Sequence, residues 1–171
     1  MEQRKYRYVG PSWITQSANH DMPRFRIGCV SELAKCLARL SGPSHPRGSV
    51  TATYIIDPQA QLWIADRHSE HYDCAAGDDV LAAGEIVFHR LAGRIAIAEI
   101  TNQSTGYCPE PECWPIVAQV LDRIGIPHPQ HFTSSCEFRR CDACGATNLV
   151  KDAIFECAIC GTQLNRNWNF A

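Results

Sequence analysis

No stretch of this sequence approaches the roughly 20 consecutive apolar residues that an α-helix needs to span a bilayer. Its opening, MEQRKYRYVG, is charged and polar with no apolar run behind it. The first absence leaves no candidate transmembrane helix, the second argues against a cleavable signal peptide, and together they set a cytoplasmic location as the expectation. Low-complexity segments are missing too, as is any internal repeat beyond one short paired motif. Net charge is small, −2 at neutral pH with a pI near 6.4. With 45% hydrophobic and 20% charged residues the composition is that of an ordinary globular chain, which excludes a disordered or fibrous protein. The 171 residues accommodate one medium domain and a small appendage, but not two large domains.

What the sequence has in quantity is cysteine, ten in all. In a reducing compartment these are better explained as metal ligands, reactive thiols or small buried residues than as a disulfide framework, which would require secretion by an unrecognised route. The charges are unevenly placed: residues 1–47 carry +5, residues 48–135 carry −7 and residues 136–171 are neutral. A basic opening beside an acidic middle implies that the two pack together or offset each other's field. Arg24, Arg26 and Arg47 are the candidates for touching phosphate, but the acidic middle and neutral tail make general nucleic-acid binding the less favoured expectation.

Apolar residues Val30, Leu33, Ala34, Leu37 and Leu40 recur at helical spacing, and Gly42-Pro43 supplies a stop. VTATYII suits a strand, Asp57 to Ala60 a turn, and QLWIA its hairpin partner. GEIVFH, a turn at RLAG and RIAIAEIT form a second hairpin, apolar on both faces and so expected in the middle of its sheet. Pro115 opens a second helix carrying Ile116, Val117, Val120, Leu121 and Ile124, ended by Gly125 and Pro127. Cys29 and Cys36, seven apart, are read as core residues on one face of the first helix. PHPQHFTSS then reads as a linker. The fold class expected is α+β: a small antiparallel sheet with two flanking helices over 1–135, followed by a cysteine-rich unit over 136–171.

That tail holds the most specific signal, Cys141-x2-Cys144-x12-Cys157-x2-Cys160. Two closely spaced pairs of thiolates can each form a tight knuckle and together complete a tetrahedral site, for which zinc is the best fit and a rubredoxin-like iron the chemical rival. Gly145 and Gly161 follow the knuckles, where positive φ lets backbone N–H groups face sulfur. Between the pairs, TNLVKDAIFE can form two short strands around Lys151-Asp152. The pattern resembles the zinc ribbon family. Four protein ligands leave no open position for water, so a structural metal is expected.

The segment from His71 to Trp114 resembles part of the plant IQ-motif calmodulin-binding proteins and of some bacterial effector and toxin-associated proteins. In these a His and a small-residue loop precede Ala-Gly, two strands and then Ser-Gly-His-Tyr-x-Pro. The matching positions are His71, Gly77, Ala83-Gly84, Ser104, Tyr107 and Pro109; Thr105-Gly106 stands where the family has Gly-His. The resemblance implies a shared small β-rich fold. No IQ motif is present, so calmodulin binding is not implied.

Two kinds of chemistry remain open for the body. Ser104, Tyr107 and Cys108 follow a buried strand, with His71 as a neighbour across the hairpin and Glu85 at a strand start. Cys108 beside His71 would make a nucleophile and base, against the blander reading of a packed loop. Alternatively His68-Ser69-Glu70 with Cys108 and Cys113 follows the order of a zinc-dependent nucleobase deaminase, in which one His and two Cys bind zinc and the Glu moves protons. The proline usual before the first of those cysteines is absent, and HSEHYDCAAGDD is a poor helix. His128, His131 and Cys136 have no specific ligand spacing. The function expected is therefore a zinc-ribbon binding or accessory module with a protein partner or small ligand, no membrane attachment, and an oligomeric state the sequence leaves open.

Overall fold

The computed structural model describes residues 3–19, 21–41 and 48–170. The expected stop at Gly42-Pro43, and also His20, His45 and Arg47, lie outside the described residues. Five antiparallel strands form the main sheet: β1 (Arg24–Ile27), β2 (Ser49–Ile56), β3 (Leu62–Asp66), β4 (Ala82–Leu91) and β5 (Arg94–Ile100), in the spatial order β1-β3-β2-β4-β5. Three short or medium helices are α1 (Ser12–Gln16), α2 (Val30–Leu40) and α3 (His71–Cys74); α4 (Trp114–Ile124) follows a single 3₁₀ turn at Pro111–Cys113. The mixed architecture with two main helices is the expected one. Among the described residues no helix is long and apolar enough to cross a membrane.

Register explains the core. Phe25, Ile64, Tyr54 and Gly84 lie side by side across four strands, so one sheet face carries Ala52, Tyr54, Ile56, Leu62, Ile64, Ile86 and Phe88, all fully buried. Helix α2 covers part of this face through Leu33, Cys36 and Leu37, and its Arg39 lies over the Phe25 ring at 5.6 Å. Helix α4 buries Ile116, Val117, Val120, Leu121 and Ile124, and Gly125 closes it with φ 82°, the left-handed C-cap that glycine takes without strain. The hairpin joining β4 and β5 turns on Ala92 and Gly93, both with positive φ, as a type I′ turn requires.

One strand was not anticipated, and two sequence expectations change. The segment Arg24–Ile27 forms edge strand β1, a role that two arginines in four residues conceal. Strand β4 is interior, but β5 is an edge; its apolar character comes from the linker, which covers it through Ile97 N donating to Pro127 O and Thr133 N to Ile100 O. Cys29 precedes α2 and is exposed, while Cys36 is buried, so they do not share a core face.

Gly84 marks a crossing. A Cβ there would overlap the Thr101 carbonyl oxygen and lie 2.8 Å from the Thr101 carbonyl carbon and 3.1 Å from Asn102 Cα. That same carbonyl oxygen accepts from Tyr54 Oη at 2.8 Å, so it has little freedom to retreat. Gly84→Ala is therefore expected to cost about 3 kcal/mol, read as a lowered midpoint of urea unfolding. An unchanged midpoint would mean that the 101–102 crossing is loose.

Candidate metal centre

Strand β6 (Glu137–Arg140) and strand β7 (Thr147–Val150) form a two-stranded ribbon whose turn carries the first cysteine pair. The anticipated second strand within TNLVKDAIFE is reduced to isolated bridges, Lys151 with Ile154 and Glu156 with Gln163, because Asp152 and Ala153 turn the chain at positive φ. The partner of β7 lies instead before the first knuckle.

The two knuckles repeat one geometry. Gly145 N donates to Cys141 O at 2.8 Å and Cys141 N to Ala146 O at 2.9 Å; Gly161 N donates to Cys157 O at 2.9 Å and Cys157 N to Thr162 O at 2.8 Å. Gly145 and Gly161 have φ 74° and 72°. Each glycine thus closes its turn onto a carbonyl, and other amides reach sulfur, among them that of Ile159, 3.4 Å from Cys157 Sγ, joined by Asn148 Nδ2 at 3.5 Å. Backbone N–H groups of Cys160 and Ile159 pull the Cys157 thiol down to about 6. The Thr162 hydroxyl and amide lower that of Cys160. Both shifts favour the thiolate that a metal requires, whereas the Cys144 thiol is raised, the Ala146 amide pulling it down less than the three surrounding sulfurs push it up.

All four sulfurs lie within 4.8 Å of one another, with Cys141–Cys160 and Cys144–Cys157 each at 3.6 Å. A tetrahedron with metal–sulfur bonds of about 2.3 Å has edges of about 3.8 Å. The cluster therefore fits a four-coordinate ion bound by sulfur alone. Cys141 and Cys157 are buried beside Leu164, while Cys144 and Cys160 face solvent.

The ribbon is fastened to the body by residues that sequence spacing did not single out. Arg139 Nη1 donates to Glu110 Oε1 at 2.7 Å in a buried ion pair, and its Nη2 donates to Arg166 O at 2.9 Å. Asn102 is fully buried; its Nδ2 donates to Pro109 O and Cys136 O, and its Oδ1 accepts from Cys136 N at 2.7 Å. Trp168 Nε1 donates to Cys108 O at 2.8 Å, and Phe170 packs with Cys108, Cys136 and Phe138. The available signal was NRNWNF, two aromatics in a polar run beyond the last cysteine. Between body and ribbon opens a cleft of about 1060 Å³, lined by Tyr6, Glu110, Arg139, Phe155 and Trp168 among others.

The body candidates are placed as follows. His71 is half-buried, its Nε2 3.0 Å from Gly84 O, and desolvation lowers its pKa. Tyr107 Oη donates to Asp78 O at 2.8 Å, Tyr107 N donates to Ser104 Oγ at 3.3 Å, and Glu85 is exposed. Cys108 has φ 46°, donates to Thr105 O, and its thiol is pushed up to about 12 by burial. Cys108 and His71 are thus turned to different partners. His68 is exposed beside Asp66, Glu70 is exposed, and Cys113 is buried in the main core, apart from the cluster that holds Cys108. Among the described residues, the four ribbon cysteines are the group of three or more potential ligands that converges. Native-state alkylation at pH 8 is accordingly expected to label exposed Cys29, whose thiol Ser31 lowers, and to leave Cys108 and Cys113 unlabelled. Rapid labelling of Cys108 would revive a thiol chemistry.

Compared with protein-family models, curated proteins and solved structures, the chain matches none significantly. The resemblance of the central segment to the plant and bacterial proteins gains no support from these comparisons.

Proposed function

We propose that this chain is a zinc-ribbon binding module, with one structural zinc held by Cys141, Cys144, Cys157 and Cys160. The observation that carries the reading is the convergence of four sulfurs at nearly tetrahedral spacing on two matching knuckles. When bound, zinc would supply no reaction chemistry, because four protein thiolates leave it no open position. It would hold the ribbon in register, so that Arg139, Trp168 and Phe170 meet the Cys108–Glu110 loop and the cleft takes its shape. Zinc is favoured over iron because no other feature of the chain speaks for electron transfer.

The body then presents surfaces for a protein partner or a small ligand. The cleft mixes Arg4, Arg139 and Arg166 with Glu110, Glu112 and Glu137, so it lacks the single-signed field that phosphate backbones demand. Weak affinity for generic DNA or RNA at physiological salt follows. The test is removal of zinc with a strong chelator followed by limited proteolysis. Cleavage is expected within residues 136–170 while the five-stranded body stays protected. Full protection of the tail after metal loss would overturn the role assigned to zinc.

A further inference from the structure

The two edges of the main sheet differ in character. Along β5 the chain covers its own edge, with Ile97 N bonded to Pro127 O and Ile100 N to Thr133 Oγ1. Along β1, β3 occupies the inner side, and no described group takes the outward hydrogen bonds of Arg24 to Ile27. An open row of N–H and C=O groups is a template for one more strand. Shortness and charge are the usual protection of such an edge, and β1 has both, so its charges decide which strand it admits.

Side chains alternate across the edge. Arg24 and Arg26 share one face and Phe25 the other. Arg24 is held in place, its guanidinium 4.1 Å over the Trp63 ring and Nη1 donating to Cys74 O; Arg26 is exposed. On the Phe25 face lies a shallow, mainly apolar cavity of about 490 Å³, lined by Met22, Pro23, Phe25, Arg39, Leu40 and Asp66. The edge thus offers two cations on one side and an apolar recess on the other.

We infer that β1 is a docking edge for an extended acidic segment of a protein partner. The segment adds as a sixth strand, with acidic side chains beside Arg24 and Arg26 and the apolar side chain between them set into the recess beside Phe25. A second copy of β1 is the wrong occupant, because antiparallel self-pairing sets arginines opposite arginines, and like charges directly opposite are destabilising. A nucleic-acid strand would use the arginines but neither the backbone row nor the recess. The inference gives the binding-module reading a partner chemistry and rests on it, yet involves no ribbon residue. Metal content measured on the same samples therefore separates a failure here from a failure of the zinc assignment.

The test uses fluorescent, end-blocked peptides of alternating glutamate and valine, titrated by anisotropy into the full chain, with amide shifts followed for residues 24–27. Saturable binding that weakens with salt, with shifts centred on β1, is expected. N-methylation of alternate peptide amides should abolish it, since strand addition needs those donors. Arg26→Glu, an exposed change, should weaken binding about tenfold and confer affinity for the lysine–valine counterpart. No binding, equal binding of the lysine–valine or N-methylated peptide by the native chain, or an Arg26→Glu variant that binds as before would overturn the inference. Concentration-dependent dimerisation lost in Arg26→Glu would assign the edge to a second copy and overturn it equally.

Discussion

A Cys157→Ser variant is expected to carry no zinc and to lose the folded ribbon. Cys157 is the ligand with the most support: it is buried, accepts from Ile159 N and Asn148 Nδ2, and the amides of Cys160 and Ile159 pull its thiol down to about 6. Serine keeps the volume but supplies a hydroxyl that stays protonated at neutral pH, so the soft tetrahedral set is broken. Between the knuckles little else could hold residues 141–164 in register, because the buried cluster there is Cys141, Cys157 and Leu164, two of them ligands, while the docking contacts of Arg139, Trp168 and Phe170 lie outside that span. Structural zinc in such small units contributes on the order of 10 kcal/mol, more than a core of that size can replace. Hydrogen exchange should show amides 141–164 losing protection while β2 and β4 keep theirs. Retention of zinc at the native level would refute the ligand assignment.

Arg139→Leu is expected to undock the ribbon at a cost of about 3 kcal/mol, with a distinctive pH dependence. Removing the guanidinium leaves Glu110 buried without its cation, and burial already raises that carboxyl against the pull of Arg139. In the variant the folded-state pKa of Glu110 climbs further above its unfolded value. A carboxyl shifted in this direction favours the folded state at pH values below the unfolded pKa, and that contribution is lost as pH rises through the raised folded value. The deficit relative to the native chain should therefore be smaller at pH 5 than at pH 8. A second change, Glu110→Gln, should recover part of the loss at pH 8. A deficit independent of pH, unaltered by Glu110→Gln, would mean that the pair contributes only packing.

The four cysteines were legible because metal chemistry writes itself as spacing: two Cys-x-x-Cys-Gly knuckles set ligand type, turn and glycine conformation within a few residues. Helices α2 and α4 were legible for a similar reason, since a one-sided helix repeats its apolar residues locally. Strand β1 was hidden because an edge strand is protected by the charges that make it look like a surface loop. Strand β5 looked central because the linker that covers it arrives about thirty residues later, and pairing of that kind leaves no local pattern. The docking residues were hidden most completely. Asn102, Glu110, Arg139 and Trp168 are ordinary polar or aromatic residues until the ribbon folds back, and only contact across the chain gives each its partner.

The most direct test is the metal itself, counted per chain and characterised by X-ray absorption on protein purified without added zinc. The account predicts one zinc per chain, four sulfur neighbours at about 2.3 Å and no nitrogen or oxygen in the first shell. Iron in the site, a mixed shell that includes histidine, or a folded ribbon holding no metal would contradict it.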